Sequence, residues 1–224
     1  MPKSKLIKEL VSGEISLENT LYRLIVLAKD IDDKELENWA KNEVQGYKNE
    51  DKIPDYREVA PHYIGTFRVG NALYQNSPLP MVFLKKFSPE QQKTFCIARI
   101  NNPISLIEFV IQEKNELTFP IAPENLHFFA SGTNVEIMSG KRKIDISKLI
   151  DIVSCVKTKA INILCELERN FGCLDDMDIS NNDNETTSLV IQNIGKIIHC
   201  NTNNEIEIGD NNEIIKSNLT QSEK

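Results

Sequence analysis

Apolar residues recur every three or four positions along the first 46 residues and then switch to alternation, so the pattern predicts helices first and strands after them. Leu6, Leu10 and Val11 mark a helix over 4–12. Leu17, Leu21, Leu24, Ile25 and Ala28 mark a second over 17–30, with Gly13 separating the two and Ser16 as its cap. Asp32 is placed to cap a third, with Glu35 as the reciprocal partner, and Leu36, Trp39, Ala40 and Val44 carry it to a stop at Gly46. Short connections predict three neighbouring, roughly antiparallel helices, with the single Trp39 filling the space between them.

Beyond Pro54 the period changes. Tyr63, Gly65, Phe67 and Val69 fall on one face, Gly70-Asn71 reads as a turn and Leu73 lies on the return, which predicts a β-hairpin. Ser77-Pro-Leu-Pro80 ends it. Three helices should follow and cover the hairpin: a short one over Met81 to Phe87, one opened by Ser88 and Pro89, and one opened by Pro103. Strands are expected at Thr118-Phe-Pro-Ile and Val135-Glu-Ile-Met, helical turns at Pro123 to Phe129, and Lys141-Arg-Lys143 in a turn after Gly140. Ser147 to Asn170 keeps the 3.6 period for about six turns until Gly172, the longest helix expected.

The composition then shifts. Leu174 to Thr187 is rich in Asp, Asn and Ser and reads as a polar linker. Ser188 to Ile198 and Glu205 to Ile215 are β-branched runs with Gly and Asn turns, a β-prone tail too short to hide both its faces. The expected class is α+β: an α+β domain over 3–172, a linker over 173–187, and a tail over 188–219 that joins copies of the chain into a homo-oligomer.

With 224 residues the chain holds one substantial core, and no apolar run approaches membrane-spanning length. The basic start leads into Lys8 and Glu9, which a secretory signal would not tolerate, so the expected location is the cytoplasm. Cys96, Cys155, Cys165, Cys173 and Cys200 form no metal-ligand spacing and read as reduced thiols acting as small hydrophobes, so no metal and no cofactor is expected. A net charge of −7 argues against broad attraction to nucleic acid. The triplet Lys141, Arg142, Lys143 is the one basic cluster that could bind a phosphate.

Trp39, Glu43, Gly46 and Tyr47, followed by Pro54-Asp-Tyr-Arg57, concentrate the polar and aromatic side chains. Preceded by Leu6-Ile-Lys-Glu-Leu10, Ser16 to Leu21 and Leu27-Ala28, and followed by Gly65 and Leu79-Pro80, this order resembles the AbiTii domain of bacterial abortive-infection systems. The resemblance covers about residues 3 to 85, and more loosely 86 to 172. It implies a role in defence against bacteriophage, as an effector or toxin-like module, and implies no defined reaction. A partner defence protein or a phage component would then be the trigger.

P-loop, dinucleotide, zinc-protease and nucleophile-elbow motifs are all missing from the sequence, and His62, His127 and His199 are far apart. The candidate catalytic residues are therefore Glu43, Asp55, Tyr56 and Arg57, with Trp39 and Tyr47 as binding candidates. Two readings stand. In one, Arg57 pairs with Glu43 or Asp55 to tie the third helix to the first strand. In the other, these residues form a hydrolase-like or nucleotide-binding centre, making the protein a nuclease-like or nucleotide-consuming toxin. The balance of motifs leans away from an enzyme and toward binding and self-assembly.

Overall fold

Helix α2 (Leu17–Asp30) turns Leu21, Leu24, Leu27 and Ala28 wholly inward, and α1 (Lys5–Ser12) and α3 (Lys34–Gln45) pack beside it as the apolar spacing requires. The computed structural model describes residues 3–48, 50–176, 179 and 184–200. Ser16 caps α2 by accepting from the Asn19 amide at 3.1 Å. The cap of α3 is Asp33, whose carboxylate accepts from the Glu35 and Leu36 amides at 3.0 Å each. Asp32, expected in that role, instead takes a φ of 55° and closes the turn, a conformation that aspartate tolerates better than most residues. The expected reciprocal partner, Glu35, hydrogen-bonds His199 near the other end of the chain.

After α3 come a 3-10 turn (Asp55–Arg57), β1 (Glu58–Val59), β2 (His62–Val69) and β3 (Ala72–Pro78). Next are a 3-10 turn over Val82–Lys86, α4 (Pro89–Cys96), β4 (Ala98–Arg99) and α5 (Ile104–Gln112). The chain continues through β5 (Leu117–Pro120), a 3-10 turn (Pro123–Asn125), α6 (Leu126–Ala130), β6 (Val135–Ile144), α7 (Ile146–Phe171) and α8 (Asn184–His199). The larger sheet is antiparallel in the order β3-β2-β6-β5, while β1 pairs with β4. The architecture is α+β, as the sequence predicts.

Two cores result. The helices α1, α2, α3, α5, α7 and α8 bury one together, built on leucines and isoleucines such as Leu36, Ile104, Val156 and Ile163. A second, aromatic core lies on one sheet face, where Phe83 and Phe129 meet edge-on at 4.9 Å, with Tyr63, Phe67, Phe87 and Phe95 around them. The Val82–Lys86 turn, α4 and α6 supply that cover. Helix α5, expected there as well, joins the helical core because Ile104, Ile107 and Val110 leave it on one side and meet α2, α3 and α7.

Gly65 and Gly140 sit opposite each other on β2 and β6. A β-carbon on Gly65 would fall 2.2 Å from the Ser139 carbonyl and 2.8 Å from Leu79, so the absent side chain is what lets Leu79 seat against the sheet.

The basic triplet is not in a turn. Lys141, Arg142 and Lys143 belong to β6, where alternation sends Arg142 to the aromatic face and the two lysines to the other. Arg142 lies over the Phe119 ring at 5.1 Å, and both lysines pair with Glu116. One patch of three cations therefore does not form.

The run expected to begin a β-tail is helical. In α8, Val190, Ile194 and Ile198 are buried four residues apart, a helical spacing that β-branched composition concealed. They pack on α7 and α3 in the main core. The expected polar linker also carries core residues: Leu174 and Ile179 are buried, and the Asp175 carboxylate accepts from the Lys5 amide at 2.7 Å to cap α1. The second run, Glu205 to Ile215, lies outside the described residues. Of the cysteines, Cys155 is buried, Cys165 half-buried, and Cys96, Cys173 and Cys200 are exposed, so the small-hydrophobe reading holds for Cys155 above all. Among the described residues, no helix is long and apolar enough to cross a membrane.

Candidate functional site

The last two turns of α3 place Trp39 and Glu43 on the inward face, and Gly46 then lets the chain turn tightly enough to bring Tyr47 beside them. Gly46 has a φ of 84°, and a β-carbon there would lie 2.6 Å from the Asn101 carbonyl. The Tyr47 amide donates to that same carbonyl at 2.8 Å, which fixes the turn against the β4–α5 connection. Pro54 starts the 3-10 turn that delivers Tyr56 and Arg57 to the same point from the other side.

These residues form a closed network. Arg57 donates from Nη2 to Glu43 Oε2 at 2.5 Å and from Nε to Glu43 Oε1 at 3.2 Å, a bidentate pair. Tyr47 and Tyr56 each donate a hydroxyl to Glu43 Oε1 at 2.6 Å. Trp39 Nε1 donates to the Tyr56 hydroxyl at 2.9 Å. Arg57 Nη1 spends its hydrogens on the Ile100 and Asn102 carbonyls, at 2.8 Å each, and the guanidinium lies over the Tyr47 ring at 4.9 Å.

Glu43 and Arg57 have no exposed side-chain surface at all. A buried charge pair is tolerated only when its remaining donors and acceptors are satisfied, and here two phenols and two backbone carbonyls do that. Burial pushes both tyrosine hydroxyls up from their usual pKa, and the nearby Glu43 carboxylate pushes the same way, so both stay protonated and donating. For Arg57, burial opposes the charge, but the Glu43 carboxylate outweighs it and holds the guanidinium charged.

Of the sequence candidates, the structure brings together Trp39, Glu43, Tyr47, Tyr56 and Arg57. Asp55 opens the same 3-10 turn but is exposed, so Arg57 takes Glu43 and not Asp55 as its partner. Lys141, Arg142 and Lys143 lie on the sheet and take no part in the network.

Sequence reasoning missed Lys159. Its side chain is buried, and Nζ donates to the carbonyls of Ile197, Ile198 and Cys200 at 2.7, 3.1 and 2.7 Å, closing the C-terminal end of α8. It also lies 5.6 Å from the centre of the Tyr56 ring. Burial lowers its pKa. The available signal was a lysine on the apolar stripe of α7, between Val156 and Ile163.

The AbiTii family model matches residues 4–192, a span that contains every member of this network. The chain belongs to the AbiTii family. Membership places it in bacterial abortive-infection defence. No curated protein and no solved structure matches the chain. Within this AbiTii chain, the tryptophan-to-arginine signature that carries the resemblance joins α3, the 3-10 turn and the β4–α5 connection through its hydrogen bonds.

Proposed function

We propose that the protein is a cytoplasmic effector of antiphage defence that acts through binding and self-assembly, and that the Glu43 cluster supports the fold instead of performing chemistry. The observation that carries this reading is the complete burial of the Glu43–Arg57 pair. A reacting centre must admit a substrate, whereas both oxygens of this carboxylate are already engaged by Arg57, Tyr47 and Tyr56. In the alternative, a nuclease-like or nucleotide-consuming toxin, these groups would have to release one another first. Breaking a buried pair costs about 3–5 kcal/mol, a penalty that nothing at the site offsets.

Of the two runs expected to join copies of the chain, the first is α8 in the core, so the self-assembly reading rests on the second, Glu205 to Ile215, for Ile206, Ile208, Ile214 and Ile215 around a Gly-Asp-Asn-Asn turn. Copies of that run would pair edge to edge when a partner defence protein or a phage component brings the chains together. The test compares the full chain with a truncation after Cys200, which retains α8. The proposal expects the full chain to run larger in light scattering and to protect cells, and the truncation to run as a monomer and lose protection. Equal masses and equal protection would overturn it.

A further inference from the structure

A cleft of about 400 Å³ opens where β2 begins and β6 ends, with Pro61, His62, Ile64, Pro78, Lys143 and Asp145 among the residues that line it. It is separate from the Glu43 network, and its volume is in the range of small-molecule sites. Its polar members are placed by the sheet. His62 and Lys143 are directly paired across β2 and β6, so their side chains leave the same face side by side. Asp145 follows Lys143 by two and returns to that face.

Asp145 is the N-cap residue of α7, yet its carboxylate caps no helix amide. It reaches across to His62 Nε2 at 2.8 Å. An exposed ion pair of this kind adds little to stability, so the fold alone gives no account of a carboxylate diverted from its cap. What the contact does achieve is to fix the imidazole by one nitrogen and leave Nδ1 as its working edge. Lys143 Nζ has three hydrogens, of which the pair with Glu116 takes one.

The rest of the wall is apolar and held rigidly. Pro61 and Pro78 fix the backbone on either side, and the Leu79 amide donates to the Tyr63 carbonyl at 2.9 Å. The Tyr63 hydroxyl donates to the Phe95 carbonyl at 3.0 Å and its ring packs on Phe129, which anchors this end of β2 to the aromatic core. Leu79 keeps its place only because Gly65 and Gly140 lack side chains.

We propose that this cleft binds a small ligand carrying one oxyanion, a phosphate monoester or a carboxylate, on an apolar body of one or two rings. Lys143 Nζ holds the anion, and the His62 ring, oriented by Asp145, borders it. The rings lie against Pro61, Ile64 and Pro78.

The test follows amide shifts of the full chain by nuclear magnetic resonance during titration with phenyl phosphate, phenylacetate, inorganic phosphate and benzyl alcohol. Saturable shifts at His62, Leu79 and Lys143 with phenyl phosphate or phenylacetate are expected. Inorganic phosphate and benzyl alcohol, each carrying half of the recognition, should bind at least about tenfold more weakly than the better aryl acid. H62A and K143A should each weaken that acid at least about fivefold, and circular dichroism melting checks that these outward-facing changes leave the fold intact. Absence of saturable shifts with both aryl acids would overturn the proposal. So would shifts confined to other parts of the chain, inorganic phosphate binding as tightly as the aryl acid, or unchanged affinity in both folded variants.

Discussion

Arg57 Nη2 donates to Glu43 Oε2 at 2.5 Å with neither side chain exposed, which makes each residue the condition for burying the other. Removing one strands the charge of its partner. Arg57→Ala should therefore destabilise the chain by about 3–5 kcal/mol, visible as a lower urea midpoint or melting temperature. A melting temperature within a degree of the wild type would show that the pair bears no such role.

Gly65 faces a backbone oxygen that cannot move aside without breaking the β2–β6 ladder. Gly65→Ala should cost about 1–3 kcal/mol through overpacking, measured by urea denaturation. An unchanged midpoint would mean that the sheet accommodates the methyl group, and that Leu79 is held in place by something else.

Truncation after Gly172 removes Val190, Ile194 and Ile198 from the main core, together with the carbonyls that Lys159 closes. Ile194→Ala alone should cost about 2–5 kcal/mol, and the truncation should cost more. Truncation after Cys200 keeps all of these contacts and should melt above both of these variants. Thermal melts of the three proteins check the order.

Glu168 gives a pH signature. Burial of its carboxylate works against ionisation, but hydrogen bonds from Lys3 Nζ at 2.6 Å and from the Ser4 amide and hydroxyl at 2.5 Å each outweigh it and bring the pKa down to about 2 from 4.5. A depressed carboxylate stabilises the fold above its unfolded pKa, and that contribution is lost as pH falls through the folded one. Wild type should therefore melt above Glu168→Gln at pH 7, and the gap should shrink between about pH 4.5 and pH 2. A gap that stays constant across that range would contradict the assignment.

The helices were legible wherever apolar residues kept one face: α1, α2, α3 and α7 follow directly from their leucine and isoleucine spacing. The Glu43 cluster was legible as a cluster, since Trp39 and Glu43 share a helical face and Tyr47 lies just past the Gly46 stop. Its partner choice was not, because whether Arg57 reaches Glu43 or Asp55 depends on which way the 3-10 turn presents its side chains. Helix α8 misled because Val190, Ile191, Ile194, Ile197 and Ile198 combine β-branching with helical spacing, and packing on α7 decides between them. Lys141 and Lys143 were misplaced because Gly140 reads as a turn, while in the sheet it is the small residue that Leu79 requires. The cleft could not be seen at all, since His62 and Lys143 become neighbours only through β2–β6 register.

The most direct measurement is phage plating on cells expressing the paired variant E43Q/R57M, which removes both buried charges at once and leaves an amide oxygen for the two tyrosine hydroxyls. Neutral groups of similar volume remove the desolvated charges, and although the Ile100 and Asn102 carbonyls lose the Arg57 donor at about 1–3 kcal/mol each, no unpaired charge stays buried, so this variant should fold where the single Arg57→Ala falters. The account predicts a folded protein at wild-type abundance that still protects against phage. A folded, equally abundant variant that has lost protection would place the defence chemistry in the cluster and contradict it.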